Sequence, residues 1–305
     1  MTQKEYEEKF WKIMKARGFS EKTKYNYGGI FSQFLYKCFW NNIEPSNATD
    51  DFIIDFILSV KSNSAIRQRH GVIRNFFDWI LGNKNRLKYI PYPPKEERIP
   101  NYFTLHELED IISAIENKKQ KAIVFTQYCC GLRVSEVVKI KRSDFIKKYD
   151  IRSKGFVFDL RVIGKCNKER MIPVPDYCLK VIRKYWDSIS QKDKHPEYIF
   201  RGQFGEHYAP KTVQVIIKKA LKKIGYSKKA ATHTLRHSKA SHLHHAGADL
   251  QDIADLLGHS NIETTRMYSH SNTSTLRASF IRAEQFMREE LMAQKQEQQL
   301  LKLAS

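Results

Sequence analysis

The sequence predicts a mainly α protein with a small antiparallel sheet (α+β), built as a helical N-terminal domain followed by a mixed second domain. Three observations carry this. Apolar residues recur at helical spacing through the first ninety residues, four prolines (Pro91, Pro93, Pro94 and Pro100) fall within ten positions, and two alternating runs, FVFDLRV and RMIPV, interrupt an otherwise helical second half.

Taken in order, Tyr6, Phe10, Trp11 and Met14 mark a first amphipathic helix and Tyr25, Ile30, Phe34 and Leu35 a second. A third is expected from Asp51 to Val60 and a fourth from Ser64 to Leu81, stopped by Gly82. Stripes such as Ile73, Phe76, Phe77 and Ile80 turn inward and leave Arg67, Arg69 and Arg74 outside, so residues 1–84 read as a helical bundle with a basic exterior. Across residues 85–102 the prolines remove backbone donors and favour extended chain, which reads as a linker. The second domain, residues 103–275, opens where Thr104 caps a helix of Leu105 to Glu116 with Glu107 as its reciprocal partner and Phe103 stapled over Leu108.

AIVFTQYCC reads as a buried helix ended by Gly131, and a short helix follows in LRVSEVVKI. The two strands come next, joined by a lysine-rich turn, then helices at Tyr177–Ser188, Pro210–Ile224, His233–Ala246, Leu250–Leu257 and Ile262–Tyr268. In the tail, residues 276–305, Leu276, Phe280, Ile281, Phe286, Met287, Leu291 and Met292 are too apolar for a free end. Such a helix wants a groove, and a contact with a neighbouring protomer is expected.

Composition narrows the partners. The 305 residues carry 53 Lys plus Arg against 33 Asp plus Glu, a net charge of +20, of which residues 101–270 hold +13. With 41% hydrophobic and 12% aromatic residues this is a folded basic protein rather than a disordered polycation. Its field concentrates polyanions, so nucleic acid is the first partner to consider. No stretch approaches the roughly 20 apolar residues of a spanning helix, and the N-terminus lacks a signal-peptide core. The five cysteines (Cys38, Cys129, Cys130, Cys166 and Cys178) are odd in number and without CxxC spacing. That argues against a disulfide framework or a zinc cluster and for a reducing, cytoplasmic compartment.

Four short segments can carry chemistry. In HTLRH, His233 and Arg236 lie about 60° apart on one helix face near its N-terminus, where backbone donors and the dipole favour an anion. A phosphate suits the pair, with a bidentate grip from Arg236 and a single donor from His233. The metal alternative, His233 with His237, lacks the glutamate of HExxH, and HLHH at 242–245 reads as a solvated helix face. In LLGHSNIETTRMYSH, Gly258 ends a helix and delivers His259, Ser260 and Glu263 form a capping box, and Tyr268 follows nine residues after His259. Arg133 follows Gly131 in CCGLRVSEV, and Lys165 stands in the turn of GKCNKER.

In their order, GLRVSEV, VIGKCNKERMIPV, HTLRHSKASHLHHAGADLQDIADLLGH and TTRMYSH resemble the tyrosine recombinase (phage integrase) family, closest in pattern to Xer-type recombinases and compact transposon integrases, over roughly residues 103–270. The resemblance implies a helical core-binding domain that clamps DNA, a mixed catalytic domain, paired recombination half-sites on double-stranded DNA, self-association from dimer to tetramer, and no metal or cofactor. It implies Arg133, Lys165, His233, Arg236 and His259 as catalytic residues and Tyr268 as the nucleophile of a 3′-phosphotyrosine intermediate. The departure is Cys166, which stands where the family commonly has glycine; a positive φ there would strain the turn that aims Lys165. The chain starts at once with the helical domain, leaving no room for an arm-site-binding domain, which disfavours a lambda-like arrangement. Two other functions compete: DNA relaxation of the type IB topoisomerase kind, and a catalytically silent DNA-binding regulator of the same fold.

Overall fold

A computed structural model describes residues 1–90, 92, 101–150, 154–164, 168–189, 197–202, 206–227 and 230–258, together with 277, 278, 281, 282 and 285. The chain divides into two compact units, Met1–Arg98 and Ile99–Ser305.

The first unit is a bundle of α1 (Gln3–Ala16), α2 (Glu21–Trp40), α3 (Asp50–Leu58) and α4 (Asn63–Trp79). Each starts on a Ser or Thr whose side chain accepts from the first turn: Thr2, Ser20, Thr49 and Ser62. A cap of this kind is worth about 1 kcal/mol. The core they enclose is aromatic, with Phe10, Phe31, Phe34, Phe76 and Phe77 all buried and Phe10 on Phe31 at 4.3 Å. Arg69, expected outside, instead ties α4 to the end of α3: it donates to the Phe56 carbonyl at 2.6 Å and lies over the Phe56 ring.

In the second unit the capping box of Thr104 and Glu107 opens α5 (Leu105–Ala114). Helix α6 (Lys118–Cys129) has no polar face from Ile123 onward: Val124, Thr126, Gln127, Tyr128 and Cys129 are all buried, and α6 forms the middle of the core. A short α7 (Val134–Val137) leads to three antiparallel strands in the order β1 (Phe145–Asp150), β2 (Gly155–Ile163), β3 (Glu169–Val174). Register pairs Phe145 with Leu160 and Leu160 with Ile172, so Leu160, Val162, Ile172 and Val174 share the face turned to the core.

β1 escaped the sequence reading because FIKKYD is an edge strand exposed through its four central residues, without an apolar face to alternate. Helices α8 (Asp176–Asp187), α9 (Pro210–Lys223), α10 (Thr232–His245) and α11 (Leu250–Leu257) complete the unit. The helix expected at Ile262–Tyr268 and the box of Ser260 with Glu263 lie outside the described residues, as does most of the tail. Within the tail, Arg277 pairs with Asp159 of β2 at 2.5 Å, a buried carboxylate that Lys148 also holds.

Candidate active site

The site is built where the ends of α6 and α11 meet. Gly131 closes α6 with φ +58°, a conformation that costs a residue with a side chain, and a Cβ there would lie 3.0 Å from the Leu257 side chain. Gly258 closes α11 with φ +61°, and a Cβ there would stand 3.2 Å from Arg170. Each glycine ends a helix; Gly131 leaves room for the end of α11, and Gly258 leaves room for Arg170 of β3.

At that junction three arginines converge. The last carbonyls of α11 each receive one: Arg170 Nε donates to Leu256 O at 2.8 Å, Arg236 to Leu257 O, and Arg133 Nη2 to Gly258 O at 3.2 Å. Guanidiniums are suited to this negative helix end, where carbonyls lack partners of their own. Arg236 also donates to Gly131 O at 2.9 Å, joining both helix ends. Beneath them sits one carboxylate, Glu136 of α7. It accepts from Arg133 at 2.8 Å and from Arg170 at 2.7 and 3.1 Å, and Arg236 stands 3.9 Å away.

The electrostatics follow from this geometry. Burial alone would raise Glu136, but the hydrogen bonds and charge of Arg170, then the backbone and side chain of Arg133, outweigh it and hold the carboxyl below its usual range. Burial pushes Arg236 down to about 9, Arg133 and Arg170 push the same way, and Glu136 opposes them. At neutral pH the guanidinium therefore keeps its charge. Three cations on one anion leave the cluster two positive charges in excess, a balance that suits an anionic group.

Among the residues expected from the sequence, Arg133 and Arg236 meet here. Arg133 is part-exposed and Arg236 is 4% exposed. His233 is exposed on the first turn of α10, three residues before Arg236, and His237 is half-buried one turn on, held below its usual value by burial and then by His233 and Arg236. Gly164, at the base of the β2–β3 turn, is close enough that a Cβ would stand 3.4 Å from Arg170. Lys165, Cys166, His259 and Tyr268 lie outside the described residues. Among the described residues no group of three or more His, Cys, Asp or Glu is arranged to hold a metal ion.

Two members of the cluster, Glu136 and Arg170, escaped the sequence reading. Both left a signal: Arg133 and Glu136 stand three apart at a helix start, where the Glu136 side chain takes the Arg133 N–H at 2.9 Å, and Arg170 shares the period-2 face of Ile172 and Val174, where an apolar residue is the norm.

α10 is held in place by buried polar contacts. Gln127 Nε2 of α6 donates to Thr232 O at 3.1 Å, and the Phe103 N–H donates to Ser238 Oγ at 2.8 Å. His242, read from sequence as solvated, is instead buried between the Tyr128 hydroxyl at 2.8 Å and Phe103 O at 3.0 Å; His244 and His245 are exposed. Cys38, Cys129, Cys130 and Cys178 are buried free thiols.

Residues 101–275 match the phage integrase family. Tyrosine recombinase XerC of Staphylococcus epidermidis is 29% identical over 230 residues, covering 72% of this chain and 75% of that protein. Tyrosine recombinase XerD of Halalkalibacterium halodurans is 28% identical over 280 residues, covering 86% and 91%. Among solved structures, a lambda integrase (75–356) dimer bound to a COC′ core site matches with a TM-score of 0.67 at 18% identity, covering 89% of this chain and 99% of that one. The XerH site-specific recombinase bound to palindromic difH matches with a TM-score of 0.60 at 16% identity, covering 83% and 76%. These two likenesses are of fold.

Proposed function

Because the chain belongs to the phage integrase family, we propose that it is a site-specific recombinase that cleaves and rejoins duplex DNA through a 3′-phosphotyrosine at Tyr268. The observation that carries the reading is the excess positive charge of Arg133, Arg170 and Arg236 over Glu136 at the end of α11, the helix whose capping Gly258 directly precedes His259.

In this reading a phosphodiester binds to Arg133 and Arg236, which neutralise the charge that builds on its non-bridging oxygens, while His233 and His259 add donors. The phenol of Tyr268 gives its proton to solvent water as its oxygen attacks phosphorus; a P–O bond to Tyr268 forms as the P–O5′ bond breaks. Lys165 protonates the leaving 5′ oxygen. Bond order at phosphorus is conserved, so the 5′ hydroxyl of a second strand reverses the step and completes exchange. Arg170 and Glu136 touch no reacting atom in this scheme; they fix the two arginines that do.

The relatives' forms suggest the assembly: lambda integrase is known as a dimer on a core site and as a tetramer on a Holliday junction. For this chain the proposal is two protomers on paired half-sites and a tetramer at synapsis. The first unit holds DNA, residues 103–275 perform the chemistry, and the tail past Arg277 contacts a neighbour. None of the described helices is long and apolar enough to cross a membrane, and a reducing cytoplasm that holds the chromosome suits both the substrate and the free thiols.

Strand exchange between two differently labelled sites tests the function. Wild-type protein should give recombinant products and Tyr268→Phe none. Relaxation of supercoiled DNA without exchange would make the chain a topoisomerase, and sequence-specific binding without cleavage would make it a regulator.

A further inference from the structure

Where the first unit ends, the chain folds back onto α4. His70 Nε2 hydrogen-bonds Ile90 O at 2.9 Å, and two residues later the Tyr92 hydroxyl donates to Arg67 O at 3.1 Å. The Tyr92 ring lies 4.3 Å from the His70 ring, with the Arg67 guanidinium 4.6 Å and the Arg74 guanidinium 5.7 Å from its centroid. Residues 67, 70, 71 and 74 occupy one face of a helix, so a single ring covers that face. Gly71 makes this possible: a Cβ there would stand 2.9 Å from the Tyr92 oxygen. A glycine inside a helix is unfavourable relative to alanine, and here it provides the seat for the ring.

Two guanidiniums are gathered on one ring. Their charge adds to burial in holding His70 below its usual value. Arginine side chains ordinarily lose rotamer freedom when they grip a phosphate, and stacking on an aromatic face removes part of that loss beforehand. We propose that Tyr92 is a positioning residue for DNA binding, holding Arg67 and Arg74 ready for the phosphate backbone and joining the start of the linker to that grip. The proposal rests on the recombinase reading above and adds a determinant of affinity that lies in the first unit.

The test uses the full chain and a labelled duplex carrying one half-site, with affinity measured by fluorescence anisotropy across a salt series and folding by thermal melting. Tyr92→Ala should weaken binding roughly 5- to 30-fold at physiological salt and lower the slope of log K against log salt by about 1 to 2, the signature of one or two lost phosphate contacts. Tyr92→Phe keeps the ring and should retain most of the slope. Gly71→Ala gives the sharpest contrast: it favours the helix, so melting should hold or rise, yet it displaces the ring and should weaken binding. In an Arg67→Ala, Arg74→Ala background, Tyr92→Ala should add nothing. Wild-type affinity and slope in Tyr92→Ala, or an equal loss in the double-arginine background, would overturn the proposal. Covalent cleavage of nicked DNA at saturating wild-type protein reports separately on the recombinase reading.

Discussion

Glu136 is the residue on which the arginine cluster depends. Glu136→Gln removes the one carboxylate shared by Arg133, Arg170 and Arg236 and leaves three guanidiniums facing each other. Breaking a buried ion pair from one side costs about 3 to 5 kcal/mol. We expect a loss of that order in urea unfolding, with cleavage falling at least as far as in Arg236→Ala. His242 gives a pH signature. Burial first, then Lys239, lowers it to about 4, so its neutral ring accepts from Tyr128 and donates to Phe103. Its unfolded value is near 6.5, so between about 4 and 6.5 the unfolded chain binds the extra proton. This contribution, on the order of 3 kcal/mol, is present above pH 6.5 and is lost as pH falls toward 4. His242→Gln should flatten the fall in melting temperature across that window, and a pH profile parallel to wild type would show that His242 does not titrate this way.

At the scale of elements, the site stands on two helix ends. Gly258→Ala forces a side chain into φ +61° and toward Arg170. It should cost on the order of 1 to 2 kcal/mol and reduce cleavage more than DNA binding, because the α11 carbonyls hold all three arginines. Loss of affinity without loss of cleavage rate would place the arginines elsewhere. The start of α5 was legible because Thr104 caps it locally, and the HxxR pair was legible because three-residue spacing is a helix property. Arg170 and Glu136 left only local marks, a capping spacing and a charge on an apolar strand face, while the ion pair that joins them, like the Tyr92 seat, links positions that no local period relates. β1 was missed because an edge strand exposed along its centre needs no apolar period, and its charged run shows none.

For the whole molecule, the net charge of +20 predicts binding dominated by counterion release. With roughly 6 to 10 phosphates engaged, log K should fall against log salt with a slope of about −5 to −9, and a flat plot would contradict an extended DNA contact. The tail offers a second test. Because Arg277 pairs with buried Asp159, truncation after residue 282 keeps that contact while removing the rest of the apolar tail. Such a protein should bind one half-site normally but lose cooperativity on two, and undiminished cooperativity would rule out a tail contact between protomers.

The central claim is covalent chemistry at one side chain, so the most direct measurement is the identity of the linked residue. A nicked suicide substrate should trap protein on DNA, and trypsin with nuclease should then yield the peptide Met267–Arg277, whose only tyrosine is Tyr268, carrying a nucleotide on that tyrosine. The account predicts this adduct in wild type and its absence in Tyr268→Phe. An adduct on any other residue, or covalent trapping that survives in Tyr268→Phe, would contradict it.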